Sequence, residues 1–258
     1  MNNVDSLINH GLLIGRASSG EMHKLIAKEL LDIAHGFCLI DGENLTLNNL
    51  HEYIGNDQIN DYRLKALNRL NQKTFASNLI FKNLRDILIN LLGNDLAIQK
   101  NVGLSIQFPN DSSSLLPIHS DVANSDCSPY ELVIWIPLVD CYKTKSMFYL
   151  PFSAKESLEE YINLINDPSI QDPGDMYDKY QDQLEYINLQ PPCFGIFSHS
   201  LWHGNQVNIE SETRVSINLR VKNVFTPYKG KKIGDFFNVV EMSPLSAFFM
   251  NLEMAYDN

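Results

Sequence analysis

Two short stretches carry side chains able to hold a metal ion: Leu116-Pro-Ile-His119-Ser-Asp121 and, much further along, Ser200-Leu-Trp-His203-Gly-Asn205. In an extended chain residues i and i+2 face the same side, so His119 and Asp121 can ligate one ion while Ser120 points away. A third ligand comes from His203 or from His199, which lies in Ser198-His-Ser200. His203 is preferred, because Gly204-Asn205 follows it and Arg214 lies a short way on. Two imidazoles and one carboxylate on one face of an ion leave the opposite positions open. That arrangement suits a non-haem Fe(II) that must bind a co-substrate and O₂. A lone His-x-Asp carries little weight in an Asp-rich chain with seven histidines, so the surrounding sequence has to decide.

The segment Arg214-Val-Ser216-Ile-Asn218-Leu-Arg220 supplies that context. On a strand, Arg214, Ser216, Asn218 and Arg220 share one face, and Val215, Ile217 and Leu219 the other. The polar face would look toward the metal. There an Arg clamps a carboxylate through two parallel hydrogen bonds, which Lys does not match, and Ser216 adds a hydroxyl donor. Asn218 and Arg220 continue this face into a pocket. Gln107 faces either the site or solvent, and Glu131 and Trp135, four apart on one strand, line the pocket or the core. His10, His23, His35 and His51 are read as surface or cap histidines.

The elements that position these groups fall into two halves. Residues 1–95 read as mainly helical support. Ser18-Ser-Gly-Glu21 offers a capping box for a helix with Met22, Leu25, Ile26, Leu30 and Ile33 at helical spacing. Phe37 to Ile40 is a short strand candidate ending at Asp41-Gly42. Helices follow from about Gln58 to Lys73 and from Ser77 to Leu92, where Gly93 is the stop. Strands then dominate residues 96–224, notably Val102–Gln107, Glu131–Leu138, Ser146–Leu150, Leu184–Leu189, Phe194–Phe197 and Thr213–Val221. They are interrupted over 153–183 by an amphipathic helix from Ser153 to about Asp167 and a polar stretch from Pro168 to Gln183. This insertion sits where it could act as a lid. The tail, 225–258, is apolar and reads as a helix from Phe236 to Met254. The expected architecture is α+β in a single domain, 1–258, with a mostly β core. Its form would be a jelly roll or double-stranded β-helix with N-terminal buttressing helices and a helical insertion. Such a roll brings distant ligands together between its sheets.

Net charge is −11, from 20 basic and 31 acidic residues. That balance argues against a nucleic-acid partner or a polybasic membrane surface. No apolar run is long enough to span a bilayer, and no signal peptide is read at the N-terminus. Cys38, Cys127, Cys141 and Cys193 form no Cys-x-x-Cys, so they read as free thiols in a cytoplasmic protein.

Taken together, His119-Ser-Asp121, His203-Gly-Asn205 and Arg214-Val-Ser216-Ile-Asn-Leu-Arg220 resemble the Fe(II)/2-oxoglutarate-dependent dioxygenases, over roughly residues 96–224. Within them, Gln107-Phe-Pro-Asn-Asp, Glu131-Leu-Val-Ile-Trp-Ile-Pro-Leu-Val-Asp140 and Ser146-Met-Phe-Tyr-Leu-Pro151 are most like the oxygenases of carbohydrate gene clusters, akin to that of the streptomycin pathway. The resemblance implies a cupin-like roll in which His119, Asp121 and His203 bind Fe(II). It implies that Arg214 and Ser216 grip the distal carboxylate of 2-oxoglutarate, with O₂ as the other co-substrate and succinate and CO₂ as products. Halogenating relatives lack a carboxylate at the position of Asp121, so the resemblance implies hydroxylation, desaturation or epimerisation of a small polar substrate, a sugar or sugar-derived compound being the expected class. The competing expectation is a non-catalytic jelly roll that binds a metal or a carbohydrate. Such a binder has no use for a carboxylate clamp at Arg214 and Ser216.

Overall fold

The structure is a computed structural model that describes residues 3–38, 43–123 and 126–256. Its first half contains α1 (Asn3–His10), β1 (Leu12–Arg16), α2 (Glu21–Ala34), α3 (Leu50–Tyr53), α4 (Ile59–Asn71) and α5 (Phe75–Leu92). Strands β2 (Leu96–Gln99), β3 (Gly103–Gln107), β4 (Leu132–Pro137) and β5 (Phe148–Tyr149) lead into α6 (Leu158–Asn163) and α7 (Pro173–Tyr180). The chain closes with β6 (Glu185–Tyr186), β7 (Cys193–Ser198), β8 (His203–Gly204), β9 (Arg214–Asn223), β10 (Phe237–Glu241) and α8 (Pro244–Tyr256).

The strands form two antiparallel sheets. The larger has seven strands in the order β1-β7-β4-β9-β2-β10, with β3 also paired to β9, and the smaller has the order β6-β5-β8. Strand β9 is ten residues long and organises the larger sheet. Its first half pairs with β3, its last residues with β2, and its other edge with β4. Val215, Ile217, Leu219 and Val221 are fully buried and belong to one hydrophobic cluster with Ile26 and Leu30 of α2, Tyr62 and Ala66 of α4, and Ile80 and Leu84 of α5. Alternation on the strand and helical spacing on its cover thus meet along one apolar seam.

Several local expectations need correction. The helix after Ser18 starts at Glu21 with Gly20 as its cap and no side-chain cap bond, so Glu21 is too early to close a capping box. The N-terminal region also contributes β1, an edge strand paired in register with β7. Phe37 lies in a single 3-10 turn, and residues 39–42 of that strand candidate lie outside the described residues. The polar stretch after Pro168 contains α7, which Asp172 caps by accepting from the backbone N–H of Gly174 and Asp175, with Pro173 at the first helical position. The apolar tail begins as β10, because pairing with β2 completes that sheet edge before α8 starts. Leu184–Leu189 pairs as a strand only at Glu185–Tyr186, with Leu189 bridging Cys141. His23 is buried, not a surface or cap residue, and His51 is half-buried with its Nδ1 2.9 Å from the Thr213 hydroxyl.

The insertion is tied to the sheets through the buried Tyr161 of α6. Its hydroxyl donates to the Leu150 carbonyl (2.7 Å) and accepts from the backbone N–H of Trp202 (2.9 Å). Tyr161→Phe leaves both groups without that partner. The expected outcome is a loss of about 1–3 kcal/mol in unfolding free energy, read as a lower midpoint in urea with an unchanged slope.

Candidate metal centre

His119 and His203 face each other across an antiparallel β-bridge. Each backbone N–H donates to the other residue's carbonyl, both at 2.9 Å. Directly opposed residues in such a pair put their side chains on the same face, so the two imidazole centroids stand 4.4 Å apart. Both rings are held the same way. Nδ1 of His119 lies 2.8 Å from the Pro117 carbonyl and Nδ1 of His203 lies 2.9 Å from the Leu201 carbonyl. A carbonyl accepts and cannot donate, so Nδ1 carries the proton and Nε2 keeps its lone pair, the tautomer a metal requires. Gly204 makes the close approach possible: a Cβ there would stand 2.9 Å from the Leu116 carbonyl oxygen and from the Ile118 nitrogen.

Asp121 opens a 3-10 turn, Asp121–Ala123, directly after this bridge. Its Oδ1 lies 3.8 Å from His119 Nε2 and 3.4 Å from an Arg220 nitrogen. Its Oδ2 lies 3.7 Å from Nε2 of His199. Burial works to raise its pKa, but the imidazoles of His203, His199 and His119 and the Arg220 charge together lower it. Two donors each about 2.1 Å from one ion and at right angles to each other are about 3 Å apart. The His119–Asp121 gap is wider than that. Accordingly, no three His, Cys, Asp or Glu side chains among the described residues stand as a closed metal cluster. The donor types still fit an iron: two imidazoles with free Nε2 atoms and one ionised carboxylate, all on the wall of one cavity.

That cavity is about 470 Å³, within the roughly 300–1,000 Å³ of small-molecule sites. Besides His119, Asp121 and His203, its wall includes Trp135, Arg214, Ser216, Asn218 and Arg220. Register explains the grouping: Ser216 pairs with Ser105 and Asn218 with both Gly103 and Trp135. Arg214 is 4% exposed, and its Nε and Nη1 are buried without a hydrogen-bond partner. Burial pushes its pKa down, with the Cys141 thiol opposing, yet a guanidinium remains charged.

Two pocket candidates do not reach the wall. Gln107 is fully buried and donates its amide to the Gln206 carbonyl (2.8 Å), tying β3 to the chain beyond His203. Glu131 is fully buried beside His199, with its Oε2 3.7 Å from the ring Nδ1. His199, the alternative third ligand, is fully buried and lies outside the cavity wall. The wall also includes Asn60 and Arg63 of α4, which the sequence pattern does not single out. No motif marks them in the sequence; in the fold Arg63 is only 17% exposed, paired with Asp111 at 2.6 Å, and donates to the Ile106 carbonyl.

No family model and no curated protein matches the sequence. Solved structures do match. The non-heme monooxygenase ThoJ, as its Ni complex, is 13% identical with a TM-score of 0.58, over 98% of this chain and 95% of that one. The non-heme alpha-ketoglutarate-dependent carbocyclase SnoK from nogalamycin biosynthesis is 16% identical with a TM-score of 0.51, over 93% of each chain. EctD from S. alaskensis with bound Fe is 14% identical with a TM-score of 0.53, over 88% of this chain and 77% of that one. The chain therefore has the fold of non-haem iron oxygenases, including ones that depend on 2-oxoglutarate. Among the described residues no helix is long and apolar enough to cross a membrane.

Burial pushes the pKa of His203 down to about 4 and that of His199 down to about 3, partly opposed by Asp121. An unfolded chain takes up these protons near pH 6.5, whereas the folded protein refuses them until pH falls to about 4. Between those values the unfolded state binds more protons. Stability is therefore fully present above pH 6.5 and declines as pH falls. The metal-free protein should lose on the order of 1–2 kcal/mol per histidine between pH 7 and pH 5. Urea midpoints measured across that range check this, and the decline should be shallower in His203→Gln.

Proposed function

We propose that the protein is an Fe(II)- and 2-oxoglutarate-dependent oxygenase acting on a small polar substrate. One observation carries the reading: Arg214 is a buried guanidinium with no ion pair among the described residues, on the wall of the cavity that also holds His119, Asp121 and His203. An uncompensated buried charge costs several kcal/mol, so such a site is built to receive an anion. The distal carboxylate of 2-oxoglutarate is that anion, gripped by Arg214 with the buried hydroxyl of Ser216 beside it.

In this reading His119, Asp121 and His203 hold the iron through two Nε2 atoms and one carboxylate oxygen. The bound iron, with 2-oxoglutarate and O₂, supplies the oxidising chemistry, and succinate and CO₂ are released. The chain contributes positioning and exclusion of water. Trp135, Val133 and Phe197 give the cavity dry walls, while Ser105, Asn60 and Asn218 offer neutral hydrogen-bonding groups. A wall of this kind suits hydroxyl-rich compounds, and a sugar-derived substrate with hydroxylation as the outcome is the form we favour. Support for a double-stranded β-helix over residues 96–224, in a single domain, comes from the two antiparallel sheets, of which one carries His203 on β8 and the other Arg214 and Ser216 on β9, and from the likeness to ThoJ and SnoK. A non-catalytic metal or sugar binder would leave the buried Arg214 without a purpose.

Anaerobic addition of Fe(II) and 2-oxoglutarate should produce a weak visible charge-transfer band that is lost in His119→Ala. In air, succinate should form. A protein that shows neither the band nor succinate is not this enzyme. Arg214→Gln should raise the 2-oxoglutarate concentration needed for half-saturation about 10- to 100-fold, the worth of charge-assisted hydrogen bonds. Iron affinity should be nearly unchanged. Equal loss of both would make Arg214 a structural residue.

A further inference from the structure

Behind Asp121, on the side away from the cavity, lies a second line of polar groups with no place in the chemistry described so far. His199 is fully buried, and neither ring nitrogen has a hydrogen-bond partner. Yet each nitrogen is aimed at a carboxyl group. Nε2 faces Oδ2 of Asp121 at 3.7 Å, and Nδ1 faces Oε2 of Glu131 at 3.7 Å. Glu131 is itself fully buried, and the same Oε2 has no other partner. Its second oxygen is anchored instead, accepting from the backbone N–H of Ser128 at 3.3 Å. Three unpaired buried polar atoms in one line are expensive, and an apolar side chain in place of His199 would remove the cost. Each gap exceeds a hydrogen bond by only about 0.5 Å, so a small rotation of the ring and carboxyl groups closes both, the neutral ring donating from Nε2 to Asp121 and accepting at Nδ1 from a protonated Glu131, whose burial raises its pKa.

The two oxygens of Asp121 thus have different surroundings. Oδ1 faces His119 and Arg220, toward the cavity, and Oδ2 faces His199, away from it. We infer that His199, backed by Glu131, is a positioning residue: it holds Oδ2 and thereby presents Oδ1 alone to the metal. Held in this way, the carboxylate takes one coordination position and leaves its neighbour open for a co-substrate. Outer groups that orient a ligand in this manner are typically worth 10- to 100-fold in metal affinity. The inference rests on the reading of His119, Asp121 and His203 as metal ligands, and it adds a residue that the motif did not assign to this role.

The test is titration of the full-length protein with Co(II) alone. Visible absorption reports both affinity and coordination, and far-UV circular dichroism reports folding. Wild type should bind Co(II). His199→Leu should bind it about 10- to 100-fold more weakly, with an altered band shape as Oδ2 becomes free to coordinate. His199→Gln, whose amide N–H can still reach Oδ2, should recover most of the affinity and the wild-type spectrum. If wild type binds no Co(II), the metal-centre reading itself fails. If wild type binds and His199→Leu matches it in affinity and spectrum, the metal centre stands and the positioning role is overturned. Complete loss in both His199 variants, equal to the loss in His119→Leu, would make His199 a ligand and also overturn it. Should His199→Leu not fold, Glu131→Leu decides. It leaves the ring without its anchor and should weaken Co(II) about 3- to 10-fold, and unchanged binding there refutes the role.

Discussion

The alternation of side chains along β9 is the constraint on which the rest of the molecule depends. The strand is held on one edge by β4 and on the other by β3 and then β2, so its register cannot slip without breaking three pairings. A slip of one residue would turn Val215, Ile217 and Leu219 into the cavity and bury Arg214, Ser216 and Asn218 among the helices. The packed core against α2, α4 and α5 therefore does two jobs. It supplies stability through burial of apolar area, and it locks the polar face of β9 onto the cavity. The unpaired charge of Arg214 is tolerable only because that lock is strong.

Asp121 is the least settled member of the site. The two imidazoles are set by backbone pairing and by carbonyls at Pro117 and Leu201. The carboxylate instead stands at the start of a short turn, shared among His119, His199 and Arg220 at 3.4–3.8 Å. Of these, Arg220 donates a long hydrogen bond to Oδ1 at 3.4 Å, and the two imidazoles stand beyond hydrogen-bond reach. The result is a carboxylate kept ionised by its surroundings, with Oδ2 within a small rotation of the His199 ring.

Much of this is legible in the sequence. Two periodicities carry it: i, i+2 on a strand, which groups His119 with Asp121 and Arg214 with Ser216, and apolar residues at helical spacing; the fold puts those four polar residues and His203 on the wall of one cavity. The helices α2, α4 and α5 came from the second signal, because long stripes such as Ile59, Tyr62, Ala66 and Leu70 admit one reading. What stayed hidden depends on partners far away in sequence. β1 and β10 are short edge strands whose identity comes from β7 and β2, not from their own composition. Glu131 and Gln107 carry polar side chains on or beside strands, which suggested a pocket, but their neighbours turn them to structural tasks. The bond of Gln107 to Gln206 and the line from Glu131 through His199 exist only once the sheets close. His199 stands near the same motif, and spacing alone does not tell a ligand from a group behind one.

The β-bridge between His119 and His203 has a consequence best put in terms of entropy. A metal that gathers three ligands from a flexible chain must freeze each of them, and that ordering opposes binding. In the proposed site two of the three would come already joined, by a pair of backbone hydrogen bonds and a close approach at Gly204 that admits no side chain. The pair behaves as a prebuilt chelate whose bite is fixed by peptide geometry. Only the Asp121 arm has freedom left to lose. An ion captured first by the histidines would find the carboxylate within a small rotation, so closing the site needs one side-chain torsion and no rearrangement of the fold.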